Sequence, residues 1–135
     1  MFKVLDIGAS GLMAQRVRMD TIAQNVANIS TTHDENGNLN PYRRRFTVFA
    51  AGQPGDPDKP GVHVKEIGID RTSPLPKRYE PGSPDADAEG YISLPNVDLP
   101  VEFVNAIEAT RAYEANITVM ETSKAMFNAT LRLIA

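Results

Sequence analysis

The chain predicts a mainly α protein with a small β insertion. Long N- and C-terminal helices form an antiparallel, coiled-coil-like pair, with a short β-hairpin region and loops between them. Three observations lead there. All ten prolines lie from Pro41 to Pro100, so residues 1–40 and 101–135 are free of the strongest helix breaker. Both proline-free ends carry apolar residues at alternating steps of three and four. The middle holds two short runs of alternating apolar and polar residues, flanked by turn formers.

The N-terminal seam reads Leu5, Gly8, Leu12, Gln15, Met19, Ile22, Val26, Ile29, apolar except at Gly8 and Gln15 and free of charge. A repeat of 3.5 residues favours a left-handed contact with one partner helix. Arg16, Arg18, Asp20, Gln24 and Asn25 surround it and suit a solvated or polar-contact face. Gly8 and Gly11 each cost about 1 kcal/mol of helix propensity, so they mark a frayed start or a close backbone approach.

Asn36-Gly37 is a strong turn signal in the polar stretch after this helix. Residues 45–50 and 62–69 then alternate as strands, with a break near Glu66 that suits a bulge. The Pro- and Gly-rich stretch 52–61 between them reads as a long hairpin loop. A third strand is expected near Leu75–Tyr79, followed by an acidic, mobile link over Glu80–Glu89, and order resumes at Gly90-Tyr91-Ile92.

Pro100 suits the first turn of the C-terminal helix. Its seam is Phe103, Ala106, Thr110, Tyr113, Ile117, Met120, Lys124, Phe127, Leu131, Ile134, apolar except at Thr110 and Lys124. Lys124 either snorkels or sets register. Val101, Val104, Ile107, Val119, Met126 and Leu133 lie off the seam, more apolar surface than one partner helix covers. The pattern leaves two outcomes open, a closed intramolecular hairpin and a polymerising subunit. The organisation expected is an N-terminal helix of the core over 1–33, a middle loop and small β region over 34–95, and a C-terminal helix over 96–135.

The residues for chemistry are missing. A net charge of −3 makes no case for nucleic acid. No apolar run approaches the ~18 residues a membrane span needs, so direct membrane insertion is not expected. Without cysteine there are no disulfides and no thiolate sites. Asp34, Asn36 and Asn38 have the spacing of a calcium loop, but Leu39 and Arg45 stand where glycine and glutamate are required. His33 and His63 lack companions at zinc spacing, and there is neither a nucleophile elbow nor a phosphate-cradling loop. No enzyme, metal or cofactor is expected. The first residues, Met1-Phe2-Lys3-Val4-Leu5-Asp6, do not look like a cleavable secretory signal.

The segment from Ser10 to Thr32, and within it Asn25-x-Ala27-Asn28-x-x-Thr31, closely resembles the N-terminal signature of bacterial flagellar basal-body rod proteins. Arg111-Ala112-Tyr113-Glu114-Ala115-Asn116 is similar to the C-terminal signature of the same family. The length, Pro41-Tyr42-Arg43-Arg44-Arg45, and Gly90-Tyr91-Ile92-x-x-Pro95-Asn96-Val97 resemble its short proximal-rod members. The likeness is weakest over 52–61 and 80–89, and Phe103 and Ala106 stand where methionines are common.

The resemblance implies a structural subunit of the proximal rod, the torque-transmitting shaft. It implies export through the flagellar type III apparatus and assembly across the periplasm. The implied partners are other copies of the chain, other rod subunits and the adaptor at the MS ring. Another axial subunit, or a soluble helical adaptor, is the alternative. The implied assembly interface comprises Leu5, Leu12, Gln15, Met19, Ile22, Val26 and Ile29 on the first helix. On the second it comprises Phe103, Arg111, Tyr113, Ile117, Met120, Lys124, Phe127 and Leu131. Asn25, Asn28 and Asn116 are expected to make polar contacts that fix helix ends or register between subunits, with plain local capping as the equal alternative. Arg43, Arg44 and Arg45 are expected to make charged contacts with an adjacent subunit, with solvated arginines as the alternative.

Overall fold

The computed structural model describes residues 2–135. Helix α1 spans Phe2–Ala27 and helix α2 spans Leu99–Ile134, the two long elements of a mainly helical chain. They pack antiparallel. Gly8 faces Met120, Gly11 faces Asn116, and Arg18 pairs with Glu108 at 3.0 Å on the rim. A Cβ on Gly8 would lie 2.5 Å from Met120 Cγ, and one on Gly11 2.8 Å from Asn116 Nδ2. The glycines therefore mark a close helix approach, which outweighs their cost in propensity.

Helix α1 ends at Ala27, where the Ile29 N–H turns to the Val26 carbonyl three residues back at 3.3 Å. The Asn28 side chain supports this end, its Nδ2 donating to the Gln24 carbonyl at 2.8 Å and its Oδ1 accepting from Thr31 Oγ1 at 3.1 Å. Ile29 thus sits in the turn beyond the helix rather than in its last turn. Helix α2 opens with Asp98 as N-cap and Pro100 in the first turn.

The α1 seam faces inward as spaced, with Leu5, Leu12, Gln15, Met19, Ile22 and Val26 half-buried or buried. On α2 the inward line is rotated from the expected one. Glu102, Ala106, Ala109, Tyr113, Asn116 and Met120 turn inward, whereas Phe103 is 55% exposed and Thr110 and Lys124 are also exposed. Hydrogen bonds hold the Glu102 carboxylate inside, and this sets the rotation of the first turns. Continuing the register from Gly8 and Met120, α1 runs out near about residue 126 of α2, leaving an overhang of roughly 12 Å.

Strands β1 (Arg45–Ala51) and β2 (Val62–Ile69) pair antiparallel. Val48 opposes Glu66 and Phe49 opposes Val64, so Lys65 is the extra residue of a bulge where the alternation broke. The third strand is shorter than expected. β3 (Lys77–Tyr79) pairs with β4 (Tyr91–Ser93) as a separate hairpin, its Tyr79 and Tyr91 rings meeting edge-on at 5.2 Å.

The acidic stretch between them is tied down. Asp87 Oδ1 accepts from the Glu89 and Tyr91 amides, and Asp85 meets His33 Nε2 at 3.1 Å. Likewise, the calcium-like spacing at Asp34 serves a turn, since its Oδ1 accepts from the Asn36 and Asn38 amides at 2.9 Å.

The β1–β2 hairpin lies along α1. Arg45 meets Asn25 at one end, and Val62 meets Ser10 at the other. From Ser10 to Asn25 a helix rises about 22 Å. From Arg45 to Ala51 the strand β1 spans about 20 Å, close to that helical rise.

Candidate functional site

Asn25 is the most connected side chain on α1, and it is 0% exposed. Its Nδ2 donates to the Arg45 carbonyl at 2.8 Å and to Glu102 Oε2 at 3.1 Å. Its Oδ1 accepts from the Arg45 amide at 2.9 Å and from the Tyr42 hydroxyl at 3.0 Å. Both donors and both lone pairs are used, and the Arg45 backbone fixes which end of the amide is which.

Glu102, also 0% exposed, is completed by Arg44 Nε donating to Oε1. A buried carboxylate persists only when paired and hydrogen-bonded, and this one is both. Burial raises the Tyr42 phenol above its usual range; the Arg45 guanidinium opposes that shift and the Glu102 carboxylate adds to it. Arg45 itself lies over the Tyr42 ring at 5.7 Å.

The arginine triplet expected to reach a neighbour is thus largely used within the chain. Arg43 Nη1 donates to the Asp70 and Ser73 carbonyls at 3.3 Å, and Arg44 closes on Glu102. The Arg44 amide donates to Asn96 Oδ1 at 2.7 Å, which fastens the chain just before α2 to the start of β1. Of the three, only Arg45 is exposed. Among the asparagines, Asn25 joins three segments, Asn28 ends its own helix, and Asn116 packs against Gly11.

Glu102 carries no sequence signal that would single it out, being one acid among Val101, Phe103 and Val104 on an apolar helix. Tyr42 and Ser10 lie within the family-like motifs, but their partners do not follow from spacing, since each acts on a backbone or side chain far away in sequence.

Apolar side chains are exposed on the β1–β2 hairpin, at Phe46, Phe49, Ile67 and Ile69, and on two stretches of α2. The outer face of α2's first turns presents Val101, Phe103, Val104 and Ile107, and Phe103, Ala106, Ile107, Thr110 and Arg111 line a shallow groove of about 430 Å³. Past the end of α1, the overhang presents Phe127, Leu131, Leu133 at 88% exposure and Ile134 at 78%. Met13 and Val119 stand out singly. No group of acidic and histidine side chains among the described residues could hold a metal ion, and no described helix is long and apolar enough to cross a membrane.

Two family descriptions match in chain order: flagella basal body rod protein over residues 5–32, and flagellar basal body rod FlgEFG protein C-terminal over residues 88–133. The two stretches take in most of α1 and nearly all of α2. Similar full-length proteins include the flagellar basal-body rod protein FlgC of Borreliella burgdorferi, 40% identical over 99% of this chain and 97% of that protein. FlgC of Yersinia enterocolitica is 41% identical over 98% and 97% respectively, and FlgC of Aquifex aeolicus 40% identical over 96% and 93%. With this identity sustained from end to end of both chains, the protein belongs to the FlgC family of flagellar basal-body rod proteins.

Proposed function

We propose that the chain is a structural subunit of the proximal part of the flagellar rod, and that it polymerises through its terminal helices. The supporting observation is surface. The chain exposes 9388 Å², against about 7,000 Å² for a compact monomer of this size. On α2 the exposed large apolar side chains include Val101, Phe103, Val104 and Ile107 in the first turns and Phe127, Leu131, Leu133 and Ile134 along the overhang. Apolar area of this kind is stabilised by burial at about 25 cal/mol per Å² before association costs. Contacts between different patches on successive subunits do not close on themselves, and they generate a filament.

In this reading the interface separates into two sets. Leu12, Gln15, Met19, Ile22, Val26, Tyr113, Ile117 and Met120 hold the helix pair together, so they support assembly from within. Phe103, Arg111, Lys124, Phe127 and Leu131 are exposed and meet neighbours, with Arg45 as the arginine free to join them. The units are a helical core from 1–33 and 96–135, carrying the middle region 34–95. The partners are further copies, other rod subunits, the adaptor at the MS ring and the type III export apparatus. The place is the basal body where it crosses the periplasm. The role is mechanical, passing torque, with no catalysis.

The test replaces Phe103 and Ile107 with Asp in cells lacking their own copy of the subunit, with basal bodies then isolated and imaged. The expected result is a secreted, folded monomer and no complete rod. Normal rods and swimming would overturn the proposal.

A further inference from the structure

Three stretches far apart in sequence meet at Asn25: the end of α1, the entry to β1 and the first turn of α2. The β1–β2 hairpin has only two strands, and such a hairpin is marginal by itself in water. Phe46, Phe49, Ile67 and Ile69 are exposed, so it has no core of its own. It depends on α1, to which it is fastened at both ends. At one end the Asn25 amide closes on both the N–H and the C=O of Arg45, as a neighbouring strand would. At the other, Ser10 Oγ accepts from the Val62 amide at 3.1 Å while donating to the Ile7 carbonyl at 2.7 Å.

The same Asn25 amide also reaches Glu102 on α2, and Arg44 at the head of β1 reaches that carboxylate from the other side. We propose that Asn25, Glu102 and Arg44 form a register lock, which makes the helix pair and the β1–β2 hairpin one cooperative folding unit. The hairpin docks fully only when the helices pair in one register, and the docked hairpin holds them in it. A slip of α2 by one residue rotates Glu102 by about 100° and shifts it about 1.5 Å, out of reach of Asn25. Aspartate cannot replace Asn25, because it lacks both N–H donors and places a second negative charge beside Glu102. The lock concerns the single chain and stands apart from the rod reading.

The test is amide hydrogen exchange on the full-length monomer across a denaturant series, for the wild type, Tyr42→Phe, Asn25→Asp and Glu102→Gln. In the wild type, amides of residues 46–50 and 62–68 and those of 12–20 should lose protection together. In Asn25→Asp the hairpin amides should exchange roughly 10–100-fold faster, the effect of losing buried hydrogen bonds of this kind, with the helix amides retained. Tyr42→Phe keeps both Asn25 donor bonds and should stay coupled. Independent opening of the hairpin in the wild type, or unchanged hairpin exchange in Asn25→Asp, would overturn the lock. Should Asn25→Asp not fold, Glu102→Gln decides. Earlier loss of hairpin than of helix protection supports the lock, and a coincident loss makes Glu102 a plain stability residue and sinks it.

Discussion

Gly8 and Met120 show how one missing side chain sets a helix contact. Alanine at position 8 gains about 1 kcal/mol of helix propensity, but its Cβ would overlap Met120. Overpacking typically costs about 1–3 kcal/mol, so Gly8→Ala should destabilise the monomer. Adding Met120→Ala should recover part of that loss in a denaturation double-mutant cycle. Other residues act through protons. Hydrogen bonds from Ser73 hold the Asp70 carboxyl below its ordinary value, and the Tyr91 amide does the same for Asp87. Their contribution is complete above the unfolded carboxyl value, about 3.9, and fades as pH falls through the lower folded values. Asp70→Asn and Asp87→Asn should therefore each flatten the acid limb of a plot of unfolding midpoint against pH. Tyr42 has the opposite sign. Its raised value keeps a proton that the unfolded chain gives up near pH 10, so stability falls as pH climbs through the folded value, and Tyr42→Phe should remove that slope.

At the level of elements, the two helices differ in length by design of their sequences, with 36 residues in α2 against 26 in α1. The paired region and the overhang should respond differently to change. Ile22 is buried in the paired region, and Ile22→Asp places an unpaired charge there, a loss of about 3 kcal/mol or more. It should unfold the monomer and only in consequence abolish assembly. Removing residues 127–135 takes away exposed apolar groups that lie past α1. The truncated chain should keep its unfolding free energy within about 0.5 kcal/mol, as surface changes do, yet fail to build rods. Circular dichroism melts and basal-body imaging read the two outcomes separately.

For the whole molecule, the relevant quantity is buried apolar area. The described hydrophobic core consists of Ala14, Ile22, Ile92 and Ala109, very few for a chain of 135 residues. A chain with so little core is stabilised further by assembly, because burial between copies adds to what burial within the chain supplies. Amides over residues 127–134 should therefore exchange quickly in the free monomer and become protected in isolated rods. Equal exchange in both states would place the overhang outside the interface.

The sequence by itself determined the elements. Proline confined to the middle fixed where helices could run, and the spacing of Leu5 to Val26 fixed which side of α1 faces its partner, because helical geometry is local. The bulge near Glu66 and the boundary at Pro100 were legible for the same reason, and so was the family, through the motifs around Asn25 and Tyr113. Only the tertiary structure decided the rotation of α2. An apolar count favours Phe103 inside, but Asn25 and Arg44 bury Glu102 and turn Phe103 outward. It also decided that Arg43 and Arg44 bind within the chain, and that the β1–β2 hairpin lies along α1 between Ser10 and Asn25. Periodicity weighs each helix alone, whereas the burial of a charge depends on partners that long chain segments bring from elsewhere.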